Sequence, residues 1–156
     1  MVKNGIEVKA DKSKDIVRAF KELAFTEVLV GIPQEKSSRK DNEITNAELA
    51  YIHTHGSPVN NIPPRPFLQP SIIENIEGVT SIQSDIVKAA LAGNSEKVKK
   101  LYNRLGLYVQ AKAKNYITQG DKLAPNAPMT IALKGSDRPL IDTAQMLNSI
   151  TYVVKT

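Results

Sequence analysis

Over residues 44–72 the chain reads ITNAELAYIHTHGSPVNNIPPRPFLQPSI, the pattern of a short capped helix followed by a loop rich in proline. Thr45 and Glu48 have the T-x-x-E spacing of a capping box, in which each side chain accepts a hydrogen bond from the backbone of the other. Gly56 is expected to end the helix, because glycine adopts left-handed backbone angles without steric cost. The pattern predicts a helix over residues 45–55.

The loop after this helix is stiffened by proline. Each proline fixes its own φ at about −65° and pushes the residue before it toward extended geometry, so the loop has few alternative conformations. Arg65 lies between two of the prolines, and Phe67 is expected to pin the far end of the loop to the core. A loop of fixed shape is what a docking surface requires. The prolines are Pro58, Pro63, Pro64, Pro66 and Pro70.

Length and composition predict one domain over residues 1–156. The chain is long enough for a hydrophobic core, and 41% of its residues are hydrophobic and 24% charged, as in ordinary globular proteins. It has no cysteine, which excludes disulfides, thiolate catalysis and cysteine-ligated metals. No apolar run approaches the roughly 20 residues that span a bilayer, and the N-terminus lacks the apolar stretch of a signal peptide. We therefore expect synthesis in the cytoplasm and no membrane partner.

The net charge of +5 is concentrated in residues 95–122. This segment holds seven basic and two acidic residues, a surplus of five that equals the charge of the whole chain. Such a stripe faces a polyanion, either DNA or an acidic protein surface, or it is an ordinary solvated helix face. Aromatic residues make up only 5% of the chain, so a surface for stacking bases is poorly supplied. The residues expected to face a polyanion are Lys97, Lys100, Arg104, Lys112 and Lys114.

The apolar periodicity predicts a helix-rich α+β fold with one long basic helix. In the first predicted helix, Ile16, Val17, Phe20, Leu23 and Ala24 fall on one face. The predicted helices cover residues 13–24, 45–55, 95–119, 129–134 and 143–150, with two more between Phe67 and Gly93 that are separated at Gly78. The predicted strands cover residues 26–32 and 150–155, with a third candidate at 5–10.

Few strands and two polar loops have consequences for assembly. Two or three short strands make a poor sheet alone, so we predict a small antiparallel or mixed sheet whose missing partners come from neighbouring subunits. This arrangement favours a ring. Residues 34–43 are polar throughout and are predicted to form an exposed loop, as are residues 57–66.

Two candidate chemical sites have simpler explanations. His53 and His55 point to different faces of a helix and cannot chelate one metal as an i, i+4 pair does, so we expect a helix-end histidine instead. Asp142, followed by Thr143, could act as an aspartyl nucleophile, but either residue at a helix start is better explained as an N-cap. Phosphate-loop, dinucleotide and nucleophile-elbow motifs do not occur. We expect no enzymatic activity and no cofactor.

The stretches N-A-E-L-A-Y-I-H, G-S, P-R-P-F-L and P-S-I within residues 44–72 resemble a signature of tail completion and neck proteins of tailed bacteriophages. PLIDT at residues 139–143 and MLNSITY at 146–152 resemble the C-terminal ending of the same group, often labelled virion morphogenesis proteins. The two blocks span about a third of the chain, in the expected order. Members usually have glycine after the Asp-Thr pair, where this chain has Ala144.

The resemblance implies a structural protein of the virion head–tail junction, made in the host cytoplasm. It would form a ring, expected to be hexameric, between the connector or adaptor proteins and the tail terminator or tube protein, with non-specific contact to DNA in the lumen. The residues expected at its interfaces are Arg39, Lys40, Pro58, Asn61, Pro63, Arg65 and Phe67. The alternative is a DNA-binding or packaging accessory protein that uses the basic segment 95–122.

Two of these interface residues also have explanations within the subunit. Arg65 offers a rigid guanidinium fork suited to a partner's carboxylate, but it could equally brace its own loop through an intramolecular salt bridge. Phe67 is better explained as a core residue than as a contact, because a large aromatic side chain gains most from burial.

Overall fold

The computed structural model describes residues 13–39 and 44–156, and within them it is a helix-rich α+β fold with a small antiparallel sheet. This confirms the predicted fold class. The elements are α1 (Ser13–Phe25), β1 (Glu27–Gly31), α2 (Asn46–His55), α3 (Leu68–Glu74), α4 (Ile76–Leu91), α5 (Ser95–Gln119), α6 (Pro128–Lys134), α7 (Gln145–Ser149) and β2 (Thr151–Lys155), with 3-10 turns at Gln34–Lys36 and Pro58–Asn60. The strand predicted at 5–10 lies outside the described residues.

The long helix α5 is the central element. Asn94 is its N-cap, and the Asn94 side chain accepts a hydrogen bond from the Lys97 amide at 3.0 Å. Gly120 ends the helix in the left-handed conformation. One buried stripe runs along the whole helix, through Val98, Leu101, Leu105, Val109, Ala113 and Ile117. This stripe connects two hydrophobic clusters.

The first cluster lies between α4 and the N-terminal half of α5. The predicted interruption at Gly78 is wrong, because the chain breaks at Asn75 and Gly78 lies inside α4. A Cβ at Gly78 would meet the hydroxyl of Tyr108 on α5. Glycine is therefore present for close packing and not as a helix stop, a distinction that a single sequence does not reveal.

The second cluster forms where the proline loop and the C-terminal segment meet α5. Its buried members are Phe67, Ile117, Met146 and Ile150, each no more than 4% exposed. Phe67 is thus a core residue, as its aromatic character suggested, and its predicted role as an interface contact is wrong. α2 and α7 come together beside this cluster, where Asn46 Nδ2 donates a buried hydrogen bond to Ser149 Oγ at 2.9 Å.

The sheet consists of β1 and β2, and each strand has one edge that is not paired within the described residues. Val28, Val30 and Val154 pack against the first cluster. Leu29 and Val153 are paired in register on the opposite face, and they are 53% and 49% exposed. The small sheet therefore has an apolar outer face as well as an apolar inner face.

Helix α1 forms as predicted, but its apolar face is only partly covered. Ala19 is buried and Leu23 packs against the first cluster. Val17 and Phe20 are each 54% exposed. The amphipathic pattern thus predicted the helix correctly. Within the described residues, however, only the side of its apolar face that carries Ala19 and Leu23 is packed against the rest of the subunit.

Candidate interaction site

The predicted capping box is present at the start of α2. The Glu48 amide donates to Thr45 Oγ1 at 3.2 Å, and the Thr45 amide donates to Glu48 Oε2 at 2.8 Å. The hydrogen bond from the Thr45 backbone lowers the pKa of Glu48. Gly56 follows the helix with φ of 75°, and a Cβ there would lie 2.8 Å from the Ile62 carbonyl oxygen. We call residues 56–67, which turn sharply at this glycine, the elbow.

Arg65 braces the elbow from inside. Its backbone amide donates to the His53 carbonyl at 2.6 Å, and its Nε and Nη2 donate to the carbonyls of Ala124 and Pro125 at 2.6 and 2.7 Å. The residue is only 6% exposed, and burial lowers its pKa. The prediction that Arg65 presents its charge to a partner is therefore wrong for these two nitrogen atoms. The alternative prediction, in which Arg65 braces its own loop, is closer to the structure. The brace consists of hydrogen bonds to two backbone carbonyls, however, and not of a salt bridge to a carboxylate.

Three other predicted contact residues of the elbow are exposed. Pro58 lies in the 3-10 turn at the tip, Asn61 follows it with a left-handed φ of 54°, and Pro63 lies beyond. The tip residue Val59 is 95% exposed. The elbow therefore has a buried base and an exposed tip, which is the surface that a partner could reach.

The segment before α2 is more anchored than its polar sequence indicated. Ser37 is 4% exposed, its carbonyl accepts from the Asn46 amide at 2.7 Å, and its hydroxyl accepts from the Ala47 amide at 3.0 Å. The prediction of a fully exposed loop over residues 34–43 is therefore wrong at Ser37. This residue is held in place by hydrogen bonds from two backbone amides of α2 and not by apolar contacts. Arg39 is half-buried, and Lys40 lies outside the described residues.

Arg39 and the elbow border a cleft of about 1030 Å³. One wall is formed by α2 and the elbow, and the other by α6 with residues 125–127 and Leu140. Asn126 Nδ2 donates to the Asp137 carbonyl at 3.2 Å and so fixes the loop that leads into α6. We call this space the elbow cleft. It joins parts of the chain that are more than sixty residues apart, and its formation was not predicted.

The elbow cleft is electropositive within the described residues. Arg39, Arg65 and Lys134 line it, with Asp142 as the acidic lining residue and His53 on the wall. Burial, and then repulsion by the three cations, lowers the pKa of His53 from its usual 6.5 to about 4. Burial also lowers the pKa of Lys134. At neutral pH the histidine is therefore uncharged.

The predicted N-cap role of Asp142 and Thr143 is wrong, because α7 begins two residues later at Gln145 with Ala144 in the N-cap position. Asp142 borders the elbow cleft instead. In the described part of the chain, no group of three His, Cys, Asp or Glu side chains is placed to hold a metal ion.

The basic residues of α5 do not form one continuous surface. Lys97, Lys100 and Arg104 are exposed and follow one another at i, i+3 and i+7, so they share a helix face. Lys112 and Lys114 are half-buried and lie about 80° to either side of that face at 100° per residue. Lys112 lies 5.3 Å from the Tyr108 ring centroid in a cation–π contact. Three of the five predicted residues thus remain as a compact basic patch.

No family model matches the chain, and neither the curated proteins nor the solved structures include a significant match. Among the residues that the structure describes, no helix combines the length and apolar character that crossing a membrane requires.

Proposed function

We propose that the protein is a structural component of the head–tail junction of a tailed bacteriophage, where copies form a ring that joins the connector to the tail. The resemblance of residues 44–72 and 139–152 to tail completion and neck proteins supports this. In the fold, Asn46 from the first block and Ser149 from the second share a buried hydrogen bond. The residues of the resemblance thus belong to the scaffold of the subunit.

The observation that supports the ring is exposed apolar surface on β1 and β2, whose outer edges have no strand partner among the described residues. Leu29 and Val153 form an exposed apolar pair on a sheet of two strands. An open sheet edge is a ready template for another strand. A neighbouring copy that adds to this sheet would satisfy backbone groups and cover the apolar pair together.

Light scattering after size exclusion, with electron microscopy of the same fractions, tests the ring. We expect a closed oligomer, and we expect Leu29→Lys and Val153→Lys to shift it to monomer with unchanged circular dichroism. Glu27→Gln, on the same strand, is the control and should leave the oligomer intact. A wild-type protein that stays monomeric at high concentration would refute the ring.

The basic patch of Lys97, Lys100 and Arg104 supports a second candidate, a DNA-binding or packaging accessory protein. Phosphate contacts give an affinity that falls steeply with salt, whereas a ring closed by apolar burial persists. Gel shifts with duplex DNA over a salt series separate the two. Tight, salt-sensitive binding that is lost when the three residues are changed to glutamine, in a protein that remains monomeric, would favour this alternative.

A further inference from the structure

We propose that the elbow cleft is a binding site for a segment of a partner protein that carries a carboxylate flanked by apolar side chains. The site is formed within one subunit, so the inference goes beyond the ring and does not depend on it. The cleft volume of about 1030 Å³ is at the upper end of the range of sites that enclose small ligands, and it is large enough for several side chains.

The charge of the cleft selects an anion. Three cations, Arg39, Arg65 and Lys134, line it against the acidic Asp142, counted over the described lining residues. Repulsion from each of the three disfavours a proton on His53, so they act on the same space. Walls of low dielectric strengthen the field of such a cluster, and a carboxylate entering the cleft would be attracted by it.

Unsatisfied polar atoms also lie at the cleft. Arg39 Nε and His53 Nδ1 have no hydrogen-bond partner among the described residues, and such atoms are nearly always paired in folded proteins. Both atoms are closed to water in this conformation, so a carboxylate reaches them only after the side chains shift, and the His53 nitrogen donates only in the tautomer that carries its proton there. Lys134 Nζ donates to the Arg138 carbonyl at 2.6 Å, and an ammonium carries three protons, so it has two more to donate. Arg65, in contrast, is occupied by the backbone carbonyls that it braces.

The walls select apolar neighbours for that carboxylate. Met129 and Leu133 lie one turn apart on α6, they are 76% and 85% exposed, and both line the cleft, as does Ile44. Methionine adapts its shape readily to different apolar side chains. Among the described lining residues there is no phenylalanine, tyrosine or tryptophan on which a base could stack. A peptide therefore fits the cleft better than a nucleic acid does.

Selection from a random dodecapeptide library displayed on phage tests the proposal with purified protein. We expect enriched sequences that combine Asp, Glu or a free C-terminus with apolar residues. In fluorescence anisotropy, binding of an enriched peptide should weaken about tenfold or more in Arg39→Gln with Lys134→Gln, as expected for the loss of charge-assisted pairs. The matched control is Lys97→Gln with Lys100→Gln, which removes the same charge from the basic patch and should not weaken binding.

A second pair of variants tests the walls. Met129→Ser with Leu133→Ser should also weaken the peptide, without changing the salt dependence of its binding, because these residues contribute apolar contact only. Thermal unfolding of every variant identifies any loss of fold. The proposal is overturned if the library yields no enriched sequence, if enriched sequences lack carboxylates, if the charge variants bind normally, or if duplex DNA displaces the peptide.

Discussion

At the scale of single residues, Ala144 is a strained position. Its φ of 59° lies in the left-handed region, where the Cβ of an L-residue crowds the backbone at a cost of roughly 1–2 kcal/mol. Glycine adopts these angles freely but has more freedom to lose on folding. We expect Ala144→Gly to raise the free energy of unfolding by about 0.5–1 kcal/mol, measured by urea denaturation.

Ala111 provides the matched control for that substitution. It is exposed in the interior of α5, where glycine lowers stability by about 1 kcal/mol relative to alanine. The two alanine-to-glycine changes should therefore have opposite signs. Loss of stability in Ala144→Gly would mean that the left-handed geometry costs less than the added freedom of the unfolded chain. The resemblance suggested glycine at this position, but only the backbone angle gives the physical reason.

His53 should make the stability of the protein depend on pH. Its pKa is about 4 in the folded protein, against the usual 6.5 expected for the unfolded chain. Between these values the unfolded chain binds a proton that the folded protein does not, so stability falls as the pH drops from 6.5 toward 4 and no further below that. We expect this residue to contribute a loss of about 1–2 kcal/mol, allowing for the part of the ring that water reaches.

Denaturation at a series of pH values in this window measures the effect of His53. His53→Gln should flatten the dependence, because the titrating group is gone. His55→Gln changes an exposed histidine on the same helix and should retain the acid-side loss. An unchanged pH dependence in His53→Gln would show that other groups cause it.

At the scale of elements, the elbow depends on one side chain that spans two loops. Arg65 donates from two nitrogen atoms to adjacent carbonyls, at 2.6 and 2.7 Å, and is almost fully buried. Arg65→Ala would leave both carbonyls without these donors, and we expect a loss of about 2–4 kcal/mol. Arg65→Lys should lose a smaller amount of stability than Arg65→Ala, because an ammonium can still donate to one of the two carbonyls. It should not match arginine, because it lacks the fork that reaches both carbonyls.

Chemical denaturation measures these losses, with Arg104→Ala as the control. Arg104 is exposed on α5, so its loss should change stability by no more than about 0.5 kcal/mol. Equal, small effects for Arg65→Ala and Arg104→Ala would contradict the bracing role. The same result would weaken the description of the elbow as a rigid unit.

The elements that sequence predicts well are those that depend on near neighbours. The capping box of Thr45 and Glu48 was predictable because both partners lie within one helical turn. The role of Gly78 was not, because it depends on Tyr108, thirty residues away on another helix. Arg65 shows an intermediate case. Its two prolines indicated that it is held in place, but the carbonyls that hold it come from a distant loop.

At the scale of the whole molecule, the elbow cleft shows the limit of prediction from one sequence. The sequence predicted that His53 lies at a helix end and that Lys134 belongs to a short helix. Their convergence with Arg39 required knowing that α6 folds over the elbow, and no periodicity or motif in the chain encodes that pairing. The sequence did predict which residues of a helix such as α1 share an apolar face. It did not predict how much of that face stays exposed in the folded subunit.

The exposed face of α1 is the last surface to be explained at this scale. Val17 and Phe20 are each 54% exposed and adjacent on the helix, and large exposed apolar patches generally mark interaction sites. If a neighbouring copy covers this face in the proposed ring, Val17→Glu with Phe20→Glu should dissociate the oligomer. The subunit itself should lose about 1.5–3 kcal/mol, because each of the two side chains gives up roughly half the contribution of a fully buried one. Sedimentation velocity measures the first effect and urea denaturation the second.

Lys21→Glu on the same exposed helix provides the control, since it adds a negative charge without removing apolar surface. An oligomer that survives the double change would mean that subunits meet elsewhere, and that the face of α1 serves another partner.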